Sequence, residues 1–186
     1  YTSLVLLFLV YFIFAYNFIQ VYFLILLGVL SILEFAQLTK KISMKSFNFF
    51  LINLFFIIFV FIFCFMFFFF SNISGLKVIL LTLLLGCAAS DVGGFVVGKI
   101  LKGPKLTKIS PNKTYSGSIG AVIFCTILMV SLFNFFLESI NFQIIIISII
   151  TSISCQAGDL LFSYLKRKAR SKHTGNFFPG HGGVLD

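Results

Sequence analysis

The sequence predicts an all-α fold: a polytopic transmembrane helical bundle with about six membrane segments and polar cytoplasmic loops. Hydrophobic residues make up 60% of the 186-residue chain and charged residues only 10%, a balance outside the range of soluble domains. Apolar stretches of about twenty residues recur, each long enough for a helix to cross about 30 Å of hydrocarbon. The stretch at residues 47–70 shows no alternation of polar and apolar residues, which argues against a β-barrel.

The predicted segments follow one another along the chain. Residues 4–15 are apolar but short for a membrane span, and we expect them to be the remnant of a truncated first helix. A signal sequence is the weaker alternative, because no basic residue precedes them and no small-residue cleavage site follows. Five complete spans come next, which we place at residues 21–38, 47–70, 78–97, 119–137 and 142–162.

Lysine and arginine residues predict the orientation of these helices. Nearly all of them fall into three clusters, at residues 40–45, 99–113 and 166–172. Counting the spans between the clusters puts all three on one side of the membrane. Because basic residues are enriched on the cytoplasmic side of membrane proteins, we expect that side to face the cytoplasm. For the first cluster, which contains Lys40 and Lys41, we expect a role in topology alone.

Five acidic residues are few enough to consider singly, and three lie within or beside apolar spans: Glu34, Asp91 and Asp159. An ionised carboxylate in hydrocarbon costs about 2.5–3.5 kcal/mol, so each should face a polar cavity, a cation or a metal. We expect Glu34 to be a helix-end residue near Lys40 and Lys41. Asp91 lies about 10 Å deep and Asp159 about half as deep, and for both we expect a functional role.

A loop rich in lysine, glycine and hydroxyl side chains follows the helix that contains Asp91. Lysine supplies positive charge for phosphate, while hydroxyl and backbone N–H groups supply directional hydrogen bonds. The loop therefore predicts a binding site for a polyphosphate or a lipid phosphate. It is not a Walker A loop, because the pattern GxxxxGK[ST] does not occur in it. A segment that holds anionic lipid headgroups is the alternative interpretation.

The last residues of the chain carry its densest group of polar side chains. On a continuing helix, a carboxylate, a hydroxyl and two cations share one face: Asp159, Ser163, Lys166 and Arg167. The glycine-rich sequence at 179–183 can reverse the chain and return Asp186 towards Asp159. Two convergent carboxylates on a cationic surface suggest a divalent metal shared with phosphate oxygens. Zinc is not expected, because the two histidines have no accompanying cysteine pair.

At these residues the chain resembles the phosphatidate cytidylyltransferases of the bacterial type, also called CDP-diacylglycerol synthases. The signature of that family is Ser, two residues, Lys-Arg, four residues, Lys-Asp, a glycine, a Pro-Gly-His-Gly-Gly turn and Asp-Arg-x-Asp. The matching residues are Ser163, Lys166, Arg167, Lys172, Gly175, Pro179, Gly180, His181, Gly182, Gly183 and Asp186. The resemblance is strong from Asp91 onward and weak in the earlier spans. Its upstream matches are Asp91 and Gly93, then Ser110, Lys113, Thr114 and Gly117, and then Gly158 and Asp159.

The chain also departs from the family pattern. His173 stands where the family usually has Asp, and Phe162 where it usually has Glu. We expect His173 to alter the charge around the substrate. The family continues with Arg-x-Asp after the position of Asp186, so we expect residues 1–186 to be a single integral membrane catalytic domain truncated at both ends.

The resemblance implies transfer of a cytidylyl group from CTP to phosphatidic acid, which gives CDP-diacylglycerol and pyrophosphate. It implies a bacterial-type inner membrane, an active site on the cytoplasmic side, Mg²⁺ as cofactor with a second cation left open, and a homodimer. The expected partners include membrane lipids and exclude nucleic acid. By the same resemblance, the metal ligands are Asp159 and Asp186, with Asp91 as a further candidate.

We assign catalytic and substrate-binding roles to the site residues as hypotheses. The residues expected to act in catalysis are Asp159, Asp186, Lys166 and Arg167. The residues expected to bind substrate are Ser110, Lys113, Thr114, Ser163, Lys172 and His181.

Two other functions remain as alternatives. A CTP-dependent lipid-alcohol kinase of similar fold would transfer the γ-phosphoryl group and release CDP instead of pyrophosphate. A membrane transporter would place acidic residues near the bilayer midplane in paired broken helices, whereas here the ionisable residues crowd one face and no inverted repeat is evident. A CDP-alcohol phosphotransferase is not expected, because its Asp-Gly-x-x-Ala-Arg pattern is missing.

Overall fold

The computed structural model describes residues 16–42, 46–107, 110, 113–137, 141–175 and 182–186. These residues form five α-helices: α1 (Asn17–Lys41), α2 (Ser46–Asn72), α3 (Ser74–Leu101), α4 (Tyr115–Leu137) and α5 (Phe142–Lys168). All five are long and apolar enough to cross a membrane. The predicted all-α polytopic membrane fold is therefore confirmed, and the chain is an integral membrane protein. The predicted short segment at 4–15 lies outside the described residues.

The helices extend beyond the spans that hydropathy predicts. The last one was expected to end at residue 162 but continues to Lys168, and the first includes Lys40 and Lys41 in its final turn. Hydropathy marks only the part of a helix that can lie in hydrocarbon, whereas the backbone hydrogen bonds continue through polar residues. Basic side chains in a last turn also interact favourably with the helix dipole.

The chain forms two compact units. The first comprises residues up to 76 together with residues 165–186, and the second comprises residues 77–164. The first therefore contains α1, α2 and the end of α5. The second contains most of α3, all of α4 and the greater part of α5.

In the first unit, α1 packs against α2 through aromatic and polar side chains. Phe35 stacks on Phe56 with ring centroids 3.8 Å apart. Two hydrogen-bonded side-chain pairs join the same helices: Gln20 with Ser71, and Thr39 with Asn53. Because hydrocarbon offers no alternative partners, such pairs satisfy polar groups that would otherwise be costly to bury.

In the second unit, glycines allow α3 and α4 to approach closely. A Cβ atom added to Gly93 would lie 2.6 Å from the Cβ atom of Phe124, and one added to Gly117 would lie 2.7 Å from the carbonyl oxygen of Gly94. Both distances are too short for non-bonded carbon and oxygen atoms. Small residues at these positions are therefore required for the helix contact, as is common between membrane helices.

A partly buried chain of polar side chains links the three helices of the second unit. The hydroxyls of Ser90 and Ser152 lie 2.8 Å apart, and Gln156 donates to Ser152 at 3.2 Å. Gln156 also pairs with Ser118 on α4. Since Gln156 precedes Asp159 by one helical turn, this network fixes the part of α5 that carries the predicted metal ligand.

Candidate active site

The chain reverses direction immediately after α5. Arg170 adopts the left-handed conformation, with φ 50°. The N–H of Ser171 donates to the carbonyl of Lys166 at 2.9 Å, and the N–H of Arg170 donates to the carbonyl of Arg167 at 3.1 Å. This pair of hydrogen bonds is the Schellman arrangement that terminates many helices. It fixes the direction in which residues 171–175 leave the helix that carries Lys166.

Asp186 lies within the first unit beside this reversal, and its carboxylate is held by three hydrogen bonds and lies within reach of a hydroxyl donor. One oxygen accepts from the Nζ of Lys166 at 2.8 Å. The other accepts from the backbone N–H groups of Thr174 and Gly183, both at 2.9 Å, and lies 3.1 Å from the Thr174 hydroxyl. Only 8% of the Asp186 side chain is exposed.

Burial alone would raise the pKa of Asp186, because it disfavours the charged form. The hydrogen bonds from Gly183, Lys166 and Thr174 outweigh burial and lower the pKa to about 2. Asp186 is therefore ionised at neutral pH. Its negative charge is stabilised by fixed backbone N–H groups as well as by a lysine.

His173 also faces this carboxylate. Its Nδ1 lies 3.7 Å from Asp186, and its side chain is half exposed. The family usually has Asp at this position, where a second carboxylate would repel Asp186. The departure noted in the sequence therefore replaces a potential repulsion with a group that attracts Asp186 when it is protonated.

The prediction for Glu34 was wrong. Its side chain is fully buried instead of lying at a helix end beside Lys40 and Lys41. It accepts hydrogen bonds from the Thr174 hydroxyl and from the backbone N–H groups of Val184 and Leu185. The local sequence suggested the nearest lysines as partners, whereas the actual donors lie at least 140 residues away along the chain.

An open cleft of about 580 Å³ adjoins the same part of the first unit. Its lining comes from one face of α1 and from residues 171–175, and it consists of Gln37, Lys41, Ser171, Lys172, His173, Thr174 and Gly175. Lysine, amide and hydroxyl groups dominate this lining, so the cleft suits an anionic ligand. The sequence prediction included Lys172 but missed Gln37 and Lys41. Their spacing from Glu34, at i+3 and i+7, was the available signal.

In the second unit, Asp159 forms an ion pair with Lys113. The Asp159 side chain is 53% exposed and the Lys113 side chain 27% exposed. The Lys113 backbone is positioned by the preceding loop, because its carbonyl accepts from Leu106 at 2.8 Å and its N–H donates to Ser110 at 3.1 Å. Two predicted site residues from separate parts of the sequence are thus brought together.

Thr114 has a structural role at the start of α4. Its hydroxyl accepts from the N–H of Gly117 at 3.1 Å, which caps the helix. It also lies 3.1 Å from the hydroxyl of Ser116. Its predicted role in substrate binding stays a prediction.

Asp91 is exposed on α3 and lies 3.6 Å from the thiol of Cys155. Of the other predicted residues, Ser110 and Ser163 are half-buried, whereas Arg167 and Lys172 are exposed. His181 lies outside the described residues. Asp159 and Asp186 belong to different units, so their convergence on one metal stays a prediction.

The described residues contain no group of three or more His, Cys, Asp or Glu side chains that could hold a metal. The two carboxylates nevertheless have the chemistry that magnesium prefers, because they offer hard oxygen donors. Each already attracts one cationic side chain, Lys113 at Asp159 and Lys166 at Asp186. Magnesium would therefore replace or join a lysine ammonium at each of them.

The model of the cytidylyltransferase family matches residues 1–186 of the chain. Phosphatidate cytidylyltransferase of Helicobacter pylori strain J99 is 40% identical over 114 residues, which are 59% of this chain and 41% of that protein. The Rickettsia felis enzyme of the same name is 41% identical over 116 residues, 57% of this chain and 51% of that protein. The alignment with the Mycobacterium leprae enzyme is 34% identical over 105 residues, 56% of this chain and 34% of that protein.

The chain thus spans about half or less of the length of these relatives. No solved structure gives a significant match to it.

Proposed function

The chain belongs to the cytidylyltransferase family, and we propose that it transfers the cytidylyl group of CTP to phosphatidic acid. The products would be CDP-diacylglycerol and pyrophosphate. We place the reaction at the cytoplasmic face of a bacterial inner membrane, where the clustered lysines and arginines favour the membrane orientation described above. A homodimer belongs to this proposal as an expectation from the family.

One observation carries the proposal. Asp186, in the family signature, is ionised beside Lys166 at the end of α5. The same segment lines a cleft with cationic and hydroxyl groups. A carboxylate next to an anion-binding cleft is what a reaction between two phosphate compounds requires, because one group attracts cations and the other attracts phosphate.

The reaction needs little general acid or general base catalysis. A phosphate monoester oxygen of phosphatidic acid already carries negative charge near neutral pH and can attack the α-phosphorus of CTP directly. The new P–O bond forms as the bond between the α- and β-phosphates breaks, and pyrophosphate leaves with the electron pair. The protein must mainly hold two polyanions close together and offset their repulsion.

We assign these tasks to residues of both units. Asp159 and Asp186 would hold magnesium, with Asp91 as a further candidate, and the bound ion would offset charge on the phosphates. Lys166 and Arg167 would contact phosphate oxygens near the reacting centre. The residues expected to bind the parts of the substrates away from the reacting centre are Lys41, Ser110, Lys113, Thr114, Ser163, Lys172 and His181.

Labelled CTP tests the proposal directly. Purified protein in detergent should incorporate ³²P from the α-position of CTP into a lipid product when phosphatidic acid and Mg²⁺ are present, and should release ³²P from the γ-position as pyrophosphate. A lipid kinase would instead place the γ-label in the lipid and release CDP. Transfer of the γ-label, or no lipid labelling in either case, would contradict the proposed reaction.

A further inference from the structure

Glu34 is an acidic residue that none of the roles above uses. It lies on α1, two turns before the end of the helix, and its side chain is fully buried. A buried carboxylate is costly unless hydrogen-bond donors surround it. All three of its recorded hydrogen-bond partners are donors, which suits a carboxylate because an ionised carboxylate only accepts.

These donors come from two stretches of chain that flank the signature turn. The Thr174 hydroxyl approaches Glu34 at 3.0 Å from one side. The backbone N–H groups of Val184 and Leu185 approach at 2.8 and 3.0 Å from the other. One side chain of α1 thus ties together residues 174 and 184–185, in addition to the link that the Asp186 carboxylate makes between Thr174 and Gly183.

Two signature glycines provide room for this carboxylate. A Cβ atom on Gly175 would lie 2.6 Å from one Glu34 oxygen, and a Cβ atom on Gly183 would overlap the other. Non-bonded carbon and oxygen atoms do not approach so closely. Glycine at positions 175 and 183 is therefore explained by contact with Glu34 as well as by turn geometry.

The same contacts lead directly to Asp186. Thr174 donates its backbone N–H to Asp186, and its hydroxyl lies within hydrogen-bond distance of both Glu34 and Asp186. Gly183, which packs against Glu34, donates its N–H to Asp186 at 2.9 Å. Two of the residues that orient Asp186, Thr174 and Gly183, are therefore themselves in contact with Glu34.

We propose that Glu34 is a positioning residue for the active site: it holds residue 174 and residues 183–185 in place so that Asp186 presents its carboxylate beside Lys166. Glu34 itself touches none of the groups expected to react. This inference rests on the proposed function only for its effect on catalysis. Its structural part concerns the turn alone.

The variant Glu34→Gln keeps the size of the side chain but replaces one acceptor oxygen with an NH₂ group. That group must face a donor, so at least one of the three hydrogen bonds is lost. In hydrogen–deuterium exchange without CTP or added metal, the amides of Val184 and Leu185 should exchange at least about 10-fold faster than in the unaltered protein. Unchanged exchange at both amides would overturn the inference.

Formation of CDP-diacylglycerol by Glu34→Gln should fall about 10- to 100-fold, because partners that orient metal ligands typically have effects of this size. The Mg²⁺ concentration for half-maximal rate should rise, while KM for phosphatidic acid should change little. The matched control is Gln20→Leu, which removes another buried polar group of α1, one whose side chain bonds to Ser71 of α2. It should leave amide exchange at residues 184–185 and the Mg²⁺ requirement unchanged.

A second pair of variants covers the case in which Glu34→Gln fails to fold. Thr174→Val removes the hydroxyl while keeping the shape, and Thr174→Ser restores it. The Val variant should show faster exchange of the Gly183 and Val184 amides, and a rate about 10-fold lower, than the Ser variant. Identical behaviour of the two variants would refute the role of Thr174 as the link to Asp186.

If the unaltered protein forms no CDP-diacylglycerol, the proposed function fails, whereas the exchange data still decide the positioning role.

Discussion

The Lys166–Asp186 pair of the first unit and the Lys113–Asp159 pair of the second combine the same side-chain types in different surroundings. Asp186 is 8% exposed and receives three further hydrogen-bonding contacts from the backbone and side chain of its own segment. Asp159 is 53% exposed, and its recorded ion-pair partner is a single lysine from a loop. The first carboxylate is oriented by fixed dipoles, whereas the second keeps much of its surface open to solvent.

The difference in exposure and hydrogen bonding suggests that the two carboxylates have different roles. Fixed N–H groups cost no reorganisation when charge changes nearby, so Asp186 suits a position that must be set before substrates arrive. An exposed carboxylate paired with one flexible lysine can exchange that partner for another cation at little cost. We therefore expect Asp186 to be the metal ligand with a fixed orientation and Asp159 to be the metal ligand that is accessible from solvent.

The largest effects should come from removing the two carboxylates. Asp186→Asn and Asp159→Asn should each lower CDP-diacylglycerol formation on the order of 10³-fold or more, since loss of a metal ligand removes several kcal/mol of charge stabilisation. Only Asp186→Asn should also destabilise the protein, by about 2–3 kcal/mol, because its amide would face the N–H donors. Asp159→Asn should change the free energy of unfolding by less than about 1 kcal/mol.

Rates come from a CTP incorporation assay and stabilities from thermal unfolding in detergent. Equal loss of stability in both variants would remove the distinction between the two pairs. Near-normal turnover in either variant would refute its assignment as a metal ligand.

Low pH should distinguish the two Lys–Asp pairs through a smaller effect. The pKa of Asp186 is lowered from 3.8 to about 2, so its ionised form stabilises the folded turn. That contribution is fully present above about pH 4 and is lost as the pH falls through about 2; its size is about 2 kcal/mol. In metal-free protein, the Gly183 and Thr174 amides should lose exchange protection over this window after correction for the intrinsic pH dependence of exchange. The control Asp186→Asn should lack that transition; protection lost only well above pH 4 would contradict the assignment.

The smallest effect should come from the open cleft beside Asp186. Lys41→Ala removes a lysine that lines the cleft, whereas Lys40→Ala removes its neighbour, which does not line it. Because a charge-assisted hydrogen bond is worth about 1.5 kcal/mol, Lys41→Ala should raise KM for CTP or for phosphatidic acid about 10-fold with kcat unchanged. Lys40→Ala should behave as the unaltered protein does. Equal KM values for the two variants would show that the cleft binds neither substrate.

Hydropathy was sufficient to predict the helices because a helix that crosses a membrane must be apolar along its whole hydrocarbon span. The last predicted span nevertheless ended six residues early, since Ser163 and the basic residues Lys166 to Lys168 are polar while the backbone remains helical. The signature motif identified Lys166 and Asp186, and the structure brings them together. The helix predictions succeeded because each depends on residues close together in sequence, whereas the catalytic roles of Lys166 and Asp186 stay predictions from a pattern specific to one family.

Glu34 and Lys41 could not be placed in the same way. Glu34 has lysines six and seven residues ahead of it, and a local interpretation pairs it with them. Its real donors are 140 to 151 residues away, and only the three-dimensional fold reveals them. Lys41 belongs to a cluster that also satisfies the topology rule, so its i+7 spacing from Glu34 was not enough to predict its position in the cleft.

The hydroxyl of Thr174 has one hydrogen but lies near two carboxylates, at 3.0 Å from Glu34 and 3.1 Å from Asp186. It can donate fully to only one of them at a time. Rotation about its Cα–Cβ and C–O bonds therefore redistributes a hydrogen bond between the two acids without moving the main chain. When the charge near Asp186 changes, for example because a cation binds, rotation of this one side chain can adjust the hydrogen bonds.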